Sequence, residues 1–256
     1  MLKDFGRVFT RWQIWFLMGN QDIKMRYRRS VIGPFWISLS LGALVLGLAV
    51  LYGQIFEQPF EEYLRYLSAG FLVWFLFSAM ILEGCSIGTE AEGQLRNLAI
   101  PMPVLAARMV YRNWIVFLHN TVVIIAVFAT FRFFPGSALL LAVPGLLLVL
   151  CTGFFASIVL GLLCLRFRDL QQVIASATQI SFFLTPIMWM PDQGRVQRIV
   201  VDSNPLYHLI EVVRAPLLGL SPSDVSWAYA EASLAVVIVL AMLVLSGSRK
   251  KVFLWL

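Results

Sequence analysis

Charge is what this chain has least of. Only 13% of its 256 residues are Asp, Glu, Lys or Arg, against about a quarter in a soluble domain. Hydrophobic residues make up 60%, and the mean hydropathy is +0.82. So little polar surface cannot cover a water-facing globule, and the composition points to an integral membrane protein. Cysteine is also scarce. Cys85, Cys151 and Cys164 are odd in number, lie in or beside apolar runs, and show no CxxC or Cys/His spacing. That argues against a disulfide framework or a metal site and for small apolar packing residues. His119 and His208 are the two histidines. No HExxH, GxSxG or paired-Asp motif occurs, so no catalytic residue is assigned, and no GxxxxGK[ST] loop is present. ATP, if used, binds on another chain. Acids inside the apolar runs are nearly missing as well. Glu83 comes nearest, either as a functional buried carboxylate or as a side chain at headgroup depth. Without further intramembrane acids, a proton- or sodium-coupled transporter lacks its titratable site.

What is present is long apolar runs. A spanning helix needs roughly 17–25 mostly apolar residues. Six segments qualify: Val31–Tyr52, Tyr66–Leu82, Asn113–Thr130, Ala138–Leu165, Val173–Met190 and Ser226–Leu245. The fourth contains Pro144, which invites a tilt or kink. Gly84 and Gly88, and the ladder Gly153, Ser157 and Gly161, have the spacing of close helix packing. With an even number of spans both termini share one side. That side collects fifteen of the twenty Lys and Arg residues, leaving Arg65, Arg132, Arg195, Arg198 and Arg214 opposite. The positive-inside rule then puts both termini in the cytoplasm. The net charge of +6 therefore reports orientation, and no nucleic-acid partner is expected.

The basic N-terminus ends abruptly. Lys24, Arg26, Arg28 and Arg29 are followed by Val31–Phe56, where Tyr52 is the one ionisable residue. The cluster blocks translocation, and the apolar run is the first span. "RRS" faintly resembles a twin-arginine signal, but the run is too long and five more follow it. Upstream, Phe9, Trp12, Trp15 and Phe16 recur at helical spacing with Arg7 and Arg11 between them. This pattern predicts an amphipathic helix in the cytoplasmic interface. The expected organisation is a cytoplasmic N-terminus over 1–30, a six-helix all-α transmembrane domain over 31–250 and a short cytoplasmic tail over 251–256.

Five segments, in order, resemble one family. They are "DIKMRYRRSVIGPFW", "LRNLAIPMPVLAARMVYRNW", "LRFRDLQQVI", "FFLTPIMWMP" and "NPLYHLIEVVRAPLLG". Together they resemble the permease subunit of type-2 ABC transporters for polysaccharide export, the Wzm-like exporters of O-antigen, capsule and teichoic acid. The stretch "TEAEGQLRN" departs from the family's Asn and Lys pattern, with Glu90 and Glu92 in their place. The resemblance implies a permease homodimer with two ATP-binding subunits docked below. ATP and Mg then belong to the partner, and this chain carries no cofactor. It implies ATPase coupling through Glu90, Glu92, Arg96, Arg166, Arg168 and Asp169, although these loops also read as plain solvated connections. It implies short re-entrant helices before the last span, around Asn204, Pro205, Glu211 and Arg214. The last two are close enough on a helix to pair.

The implied cargo is a lipid-diphosphate-linked polysaccharide, O-antigen first, leaving the cytoplasm across the bacterial inner membrane in lipopolysaccharide biosynthesis. Arg26, Arg28 and Arg29 suit its phosphates, since guanidinium forks match phosphate oxygens. Anionic membrane lipids compete for the same residues. A sugar conduit needs aromatic, weakly polar walls. Phe35, Trp36, Trp74, Phe182, Phe183 and Trp189 are candidates, against the ordinary use of Trp and Phe in spans. A drug or lipid exporter of the same superfamily would share the fold. A membrane-embedded glycosyltransferase would need an acidic site the sequence lacks.

Overall fold

The computed structural model describes residues 2–28, 32–33, 35–90, 100–191 and 195–248. The expected cytoplasmic tail over 251–256 lies outside them, as do Arg249 and Lys250. Its helices in chain order are α1 (Leu2–Thr10), α2 (Trp12–Tyr27), α3 (Phe35–Ile55), α4 (Phe60–Glu90) and α5 (Met102–Thr130). A 3-10 turn (Gly136–Leu141) then leads into α6 (Ala142–Arg166), α7 (Leu170–Leu184), α8 (Arg195–Asp202), α9 (Pro205–Leu217) and α10 (Asp224–Ser248). No strand occurs among the described residues. Among the described residues, five helical segments are long and apolar enough to cross a membrane: α3, α4, α5, the 3-10 turn with α6, and α10. The chain is an all-α, multi-pass membrane protein.

The expected fifth span is the one that falls short. Its apolar run reaches Met190, but the helix stops at Leu184 after 15 residues. Pro186 has no N–H to continue the ladder. Fifteen residues rise about 22 Å, against roughly 30 Å of hydrocarbon. In contrast, α4 has 31 residues and α5 has 29. They rise about 46 and 43 Å and outrun the hydrocarbon by half its thickness. Pro144 makes no mid-helix kink. It sits in the first turn of α6, where the 3-10 turn hands over to α-helix, and where a missing N–H is harmless.

The core centres on α4, which touches α3, α5, α6, α7 and α9. Glycine sets its closest approach. A Cβ on Gly84 would stand 2.8 Å from Ser157 Cβ, and one on Gly88 would stand 3.1 Å from the Gly161 carbonyl oxygen. The two small-residue ladders thus pack against each other within one chain, α4 on α6. Gly84→Ala should lower the melting temperature of the purified protein, because overpacking costs about 1–3 kcal/mol. Gly47→Ala, with nothing within 4 Å of the added methyl, should not lower it. Equal behaviour of the two would show that α4 and α6 part freely.

Charges collect at the two ends of this bundle. One end carries α2, the last turns of α4, the first turns of α5 and the α6–α7 turn. At the other, Arg65 lies 4.3 Å from the Phe133 ring centroid and pairs with Glu61 at 3.3 Å. The non-spanning helix α9 is sunk near that second end against α4, α6 and α10, with His208–Ile210 and Val212–Pro216 buried. Asn204 caps it, accepting from the Leu206 N–H at 2.9 Å, and Pro205 occupies its first turn.

Candidate functional site

Three arginines and two carboxylates form a knot at the α2 end. Arg108 donates Nε and Nη2 to Asp22 Oδ2 and Oδ1, both at 2.6 Å, a bidentate fork. Arg112, one helical turn on, bridges two helices. Its Nη1 reaches Asp22 Oδ2 at 3.3 Å and its Nη2 reaches Glu83 Oε2 at 2.7 Å. Asn113 Nδ2 donates to the same oxygen at 2.7 Å, and Arg26 Nη2 donates to Glu83 Oε1 at 3.1 Å. Asp22 is 9% exposed. Charges this far out of water persist only when paired and hydrogen-bonded. Glu83 is half-buried and fully partnered, its two oxygens taken by Arg26, Arg112 and Asn113.

The local sequence explains why α2 sits there. A Cβ on Gly19 would come 2.7 Å from the Tyr111 ring, so only glycine lets α2 cross α5 this closely. Tyr111 then donates to Asn20 Oδ1 at 3.1 Å, and Trp15 and Phe16 pack on its ring. The stretch expected to form one amphipathic helix forms two. The chain breaks at Arg11 between α1 and α2. Phe9 and Trp12 remain exposed while Trp15 and Phe16 turn toward the bundle.

A cleft of about 340 Å³ runs from the knot between α3, α4 and α5. Arg26, Glu83 and Asn113 line one end, and Leu41, Leu76 and Phe117 line its body. Deeper still, buried Asn120 accepts from Ser38 Oγ at 3.2 Å.

The other expected site residues fall into separate groups. Arg28 ends α2 and is exposed; Arg29, Glu92 and Arg96 lie outside the described residues. Glu90 closes α4, accepts from Ser86 Oγ at 2.6 Å and lines a small pocket with Arg108 and Arg112. The Arg166–Asp169 turn belongs to the same end, because the preceding residue, Leu165, packs beside Gly88. Arg166 lies 4.8 Å from the Phe167 ring centroid, and Arg168 and Asp169 are exposed. Among the aromatics, Trp74, Phe182, Phe183 and Trp189 do come together. Phe182 contacts Trp74 and Phe183, and Trp189 Nε1 donates to the Phe183 carbonyl at 3.2 Å. Trp74 is buried beneath this group, whereas Phe183 is exposed. Phe35 and Trp36 stand apart and exposed at the start of α3, Phe35 edge-on to His119.

A second buried group lies at the far end. Arg214, 1% exposed, donates Nε and Nη2 to Glu211 Oε2 at 2.8 and 2.5 Å and Nη1 to the Pro186 carbonyl at 2.5 Å. Its guanidinium lies 4.4 Å from the Tyr66 ring centroid. Tyr66 donates to the Pro186 and Trp189 carbonyls at 2.7 and 3.1 Å, and Tyr63 donates to the Met188 carbonyl. Asn204 Nδ2 donates to Thr185 Oγ1 at 3.0 Å. Side chains of α4 and α9 thus satisfy the carbonyls that the break after α7 leaves bare.

The profile of the ABC-2 type transporter family matches residues 13–218. The chain belongs to that family. The match runs from the start of α2 to just past the end of α9, so both the knot and the Arg214 group lie within its ABC-2 portion. The chain is 22% identical over 238 residues, 91% of each chain, to the O-antigen export system permease protein RfbA of Myxococcus xanthus. It is 24% identical over 194 residues to a Klebsiella pneumoniae protein of the same name, covering 75% of this chain and 74% of the other. The residues sequence reasoning missed are Asp22, Arg108, Arg112 and Asn113 as one cluster. The signal was there: a lone acid in a basic helix, and two arginines at i and i+4 opening an apolar one.

Proposed function

We propose that the chain is the membrane subunit of an ATP-driven exporter. It moves a lipid-diphosphate-linked O-antigen polysaccharide from the cytoplasmic to the outer side of the bacterial inner membrane. The observation that carries this reading is the 91% coverage, on both sides, of a relative named as an O-antigen export permease. In this reading the chain acts as a homodimer with two ATP-binding subunits and has no catalytic activity of its own. The α2 end faces the cytoplasm, as do both termini. The segment Thr185–Met190 completes a sixth crossing begun by α7, and α9 is re-entrant from the outer side. Glu90, Glu92, Arg96, Arg166, Arg168 and Asp169 meet the ATPase. Arg26, Arg28 and Arg29 meet the diphosphate, and Phe182, Phe183 and Trp189 line the path with Phe35, Trp36 and Trp74 behind or beside it.

The test is ATPase activity of the reconstituted complex with and without lipid-linked O-polysaccharide. The expected result is stimulation by that glycan and none by drugs or short lipids; the reverse pattern would assign a drug or lipid exporter. Arg166→Glu should abolish most of the stimulation, and of surface glycan in cells, while the permease stays in the membrane. Unchanged export and ATPase association would move the docking surface elsewhere.

A further inference from the structure

We propose that Glu90 competes with Asp22 for Arg112, so that the position of Glu90 sets how firmly α2 is held to the bundle. Glu90 is the last residue of α4, about two helical turns beyond Glu83. It lines a small cavity with Arg108 and Arg112. The knot thus holds three carboxylates, Asp22, Glu83 and Glu90, against three arginines, Arg26, Arg108 and Arg112. No positive charge is in surplus, so a carboxylate that takes more of Arg112 takes it from another.

Arg112 is the member that can be shared differently. Its Nη1 reaches Asp22 at 3.3 Å, whereas both Arg108 contacts to Asp22 are 2.6 Å. Its Nε is buried and lacks a hydrogen-bond partner among the described residues. A buried donor left unpaired costs stability. The cavity beside it, about 40 Å³, gives room for a water between Arg112 and Glu90, or for the two side chains to close up. Turning toward Glu90 gives up one long hydrogen bond and provides for the Nε, while Arg108 keeps its fork on Asp22. Each such turn loosens α2 by one contact. Ser86 holds the balance. Its hydroxyl lies 3.0 Å from the Glu83 carbonyl and 2.6 Å from Glu90 Oε1, and the shorter bond ties Glu90 back along its own helix. Arg26 on α2 is taken by Glu83. Lys24 and Arg28 on α2 are exposed, and water and salt screen them. The short-range exchange at Arg112 therefore decides the sign. In the exporter reading, on which this consequence alone rests, α2 carries the arginines that meet the diphosphate, and Glu90 adjoins the segment of Glu92 and Arg96 that meets the ATPase. Docking of the ATPase then tightens or loosens the headgroup site through Glu90.

The experiment is limited trypsin digestion of the purified full chain in lipid nanodiscs, with cleavage after Arg11 and Lys24 followed by mass spectrometry. When opening is fast relative to cleavage, the rate tracks how often α2 leaves the bundle. Glu90→Gln keeps the shape of an exposed side chain and removes the competitor. We expect it to slow cleavage about threefold, the size of a solvent-exposed charge pair. A merely structural Glu90 would give the opposite sign, because its loss would loosen the end of α4. Ser86→Ala, which releases Glu90 toward Arg112, should speed cleavage about threefold, and should do nothing once Glu90→Gln is present. Glu90→Gln should likewise do nothing in the Asp22→Asn background. The competition is overturned by cleavage that is unchanged or faster in Glu90→Gln, by slowing that persists in Asp22→Asn, or by an equal effect of Ser86→Ala with and without Glu90. Glycan export is scored separately in cells. If the wild-type chain exports no glycan, the functional reading falls and the competition stands on the cleavage rates.

Discussion

Arg214→Met should be among the most damaging single substitutions in this protein, lowering stability by about 3–5 kcal/mol, the size seen when one partner of a buried ion pair is removed. The guanidinium is 1% exposed and holds two things at once, the Glu211 carboxylate and the Pro186 carbonyl. Methionine fills much of the volume, so the loss is electrostatic. It strands Glu211 and leaves Pro186 with the Tyr66 hydroxyl alone. Arg214→Lys should recover only part, because a point charge cannot copy the fork. The decisive comparison is with a double variant, Arg214→Met and Glu211→Met. Removing both partners of a buried pair is often close to neutral, so the double variant should melt higher than the single one. If the single variant melts as the wild type does, the pair contributes nothing, and the break after α7 is held by Tyr63 and Tyr66 without it.

The second large effect is expected at Asp22→Asn, which keeps shape and removes charge. Arg108 loses its bidentate partner, and Arg112 keeps only Glu83. The side chains of Arg108 and Arg112 are 21% and 14% exposed, so water recovers some of the cost and the loss should lie near the low end, about 3 kcal/mol. The first consequence should be release of α2 from α5, read as rapid proteolysis within residues 1–28 while the bundle stays protected. A double-mutant cycle with Arg108→Gln should give a coupling above about 1 kcal/mol. Additive effects would show that α2 is held by the Gly19–Tyr111 crossing alone. Arg26→Gln, at the solvated edge of the same knot, should cost less than about 1 kcal/mol.

The sequence announced the membrane helices because apolarity is a local property. It marked α3 and α10 closely and began α4 and α5 too late. The reason is physical. Hydropathy marks only the part of a helix that meets lipid, whereas Phe60–Tyr66 and Met102–Arg112 stay helical on either side of that limit. The end of α7 was hidden for the opposite reason: residues to Met190 are apolar, yet Pro186 stops the backbone inside the run. Glu211 and Arg214 were expected to pair from their spacing, and they do. Their reach to Pro186 and Tyr66 depends on tertiary approach, which spacing does not encode. The knot is a further case, since Asp22 meets its partner 86 residues away. Trp74 passed for a wall residue because a buried and a lining tryptophan look alike in sequence.

The excess length of α4 and α5 gives the molecule a mechanical character. About 15 Å of each helix has no place in the hydrocarbon, and the excess at the α2 end begins where Arg112 ties Glu83 to Asp22. The tips beyond that tie are packed as well, Gly84 and Gly88 of α4 against Ser157 and Gly161 of α6, so the two rods move as one body with α6. Tyr63 and Tyr66 ride on the opposite end of α4. A tilt of that body at one surface of the protein would then arrive at the other as a displacement of the segment after α7, without any change of shape in the rods between.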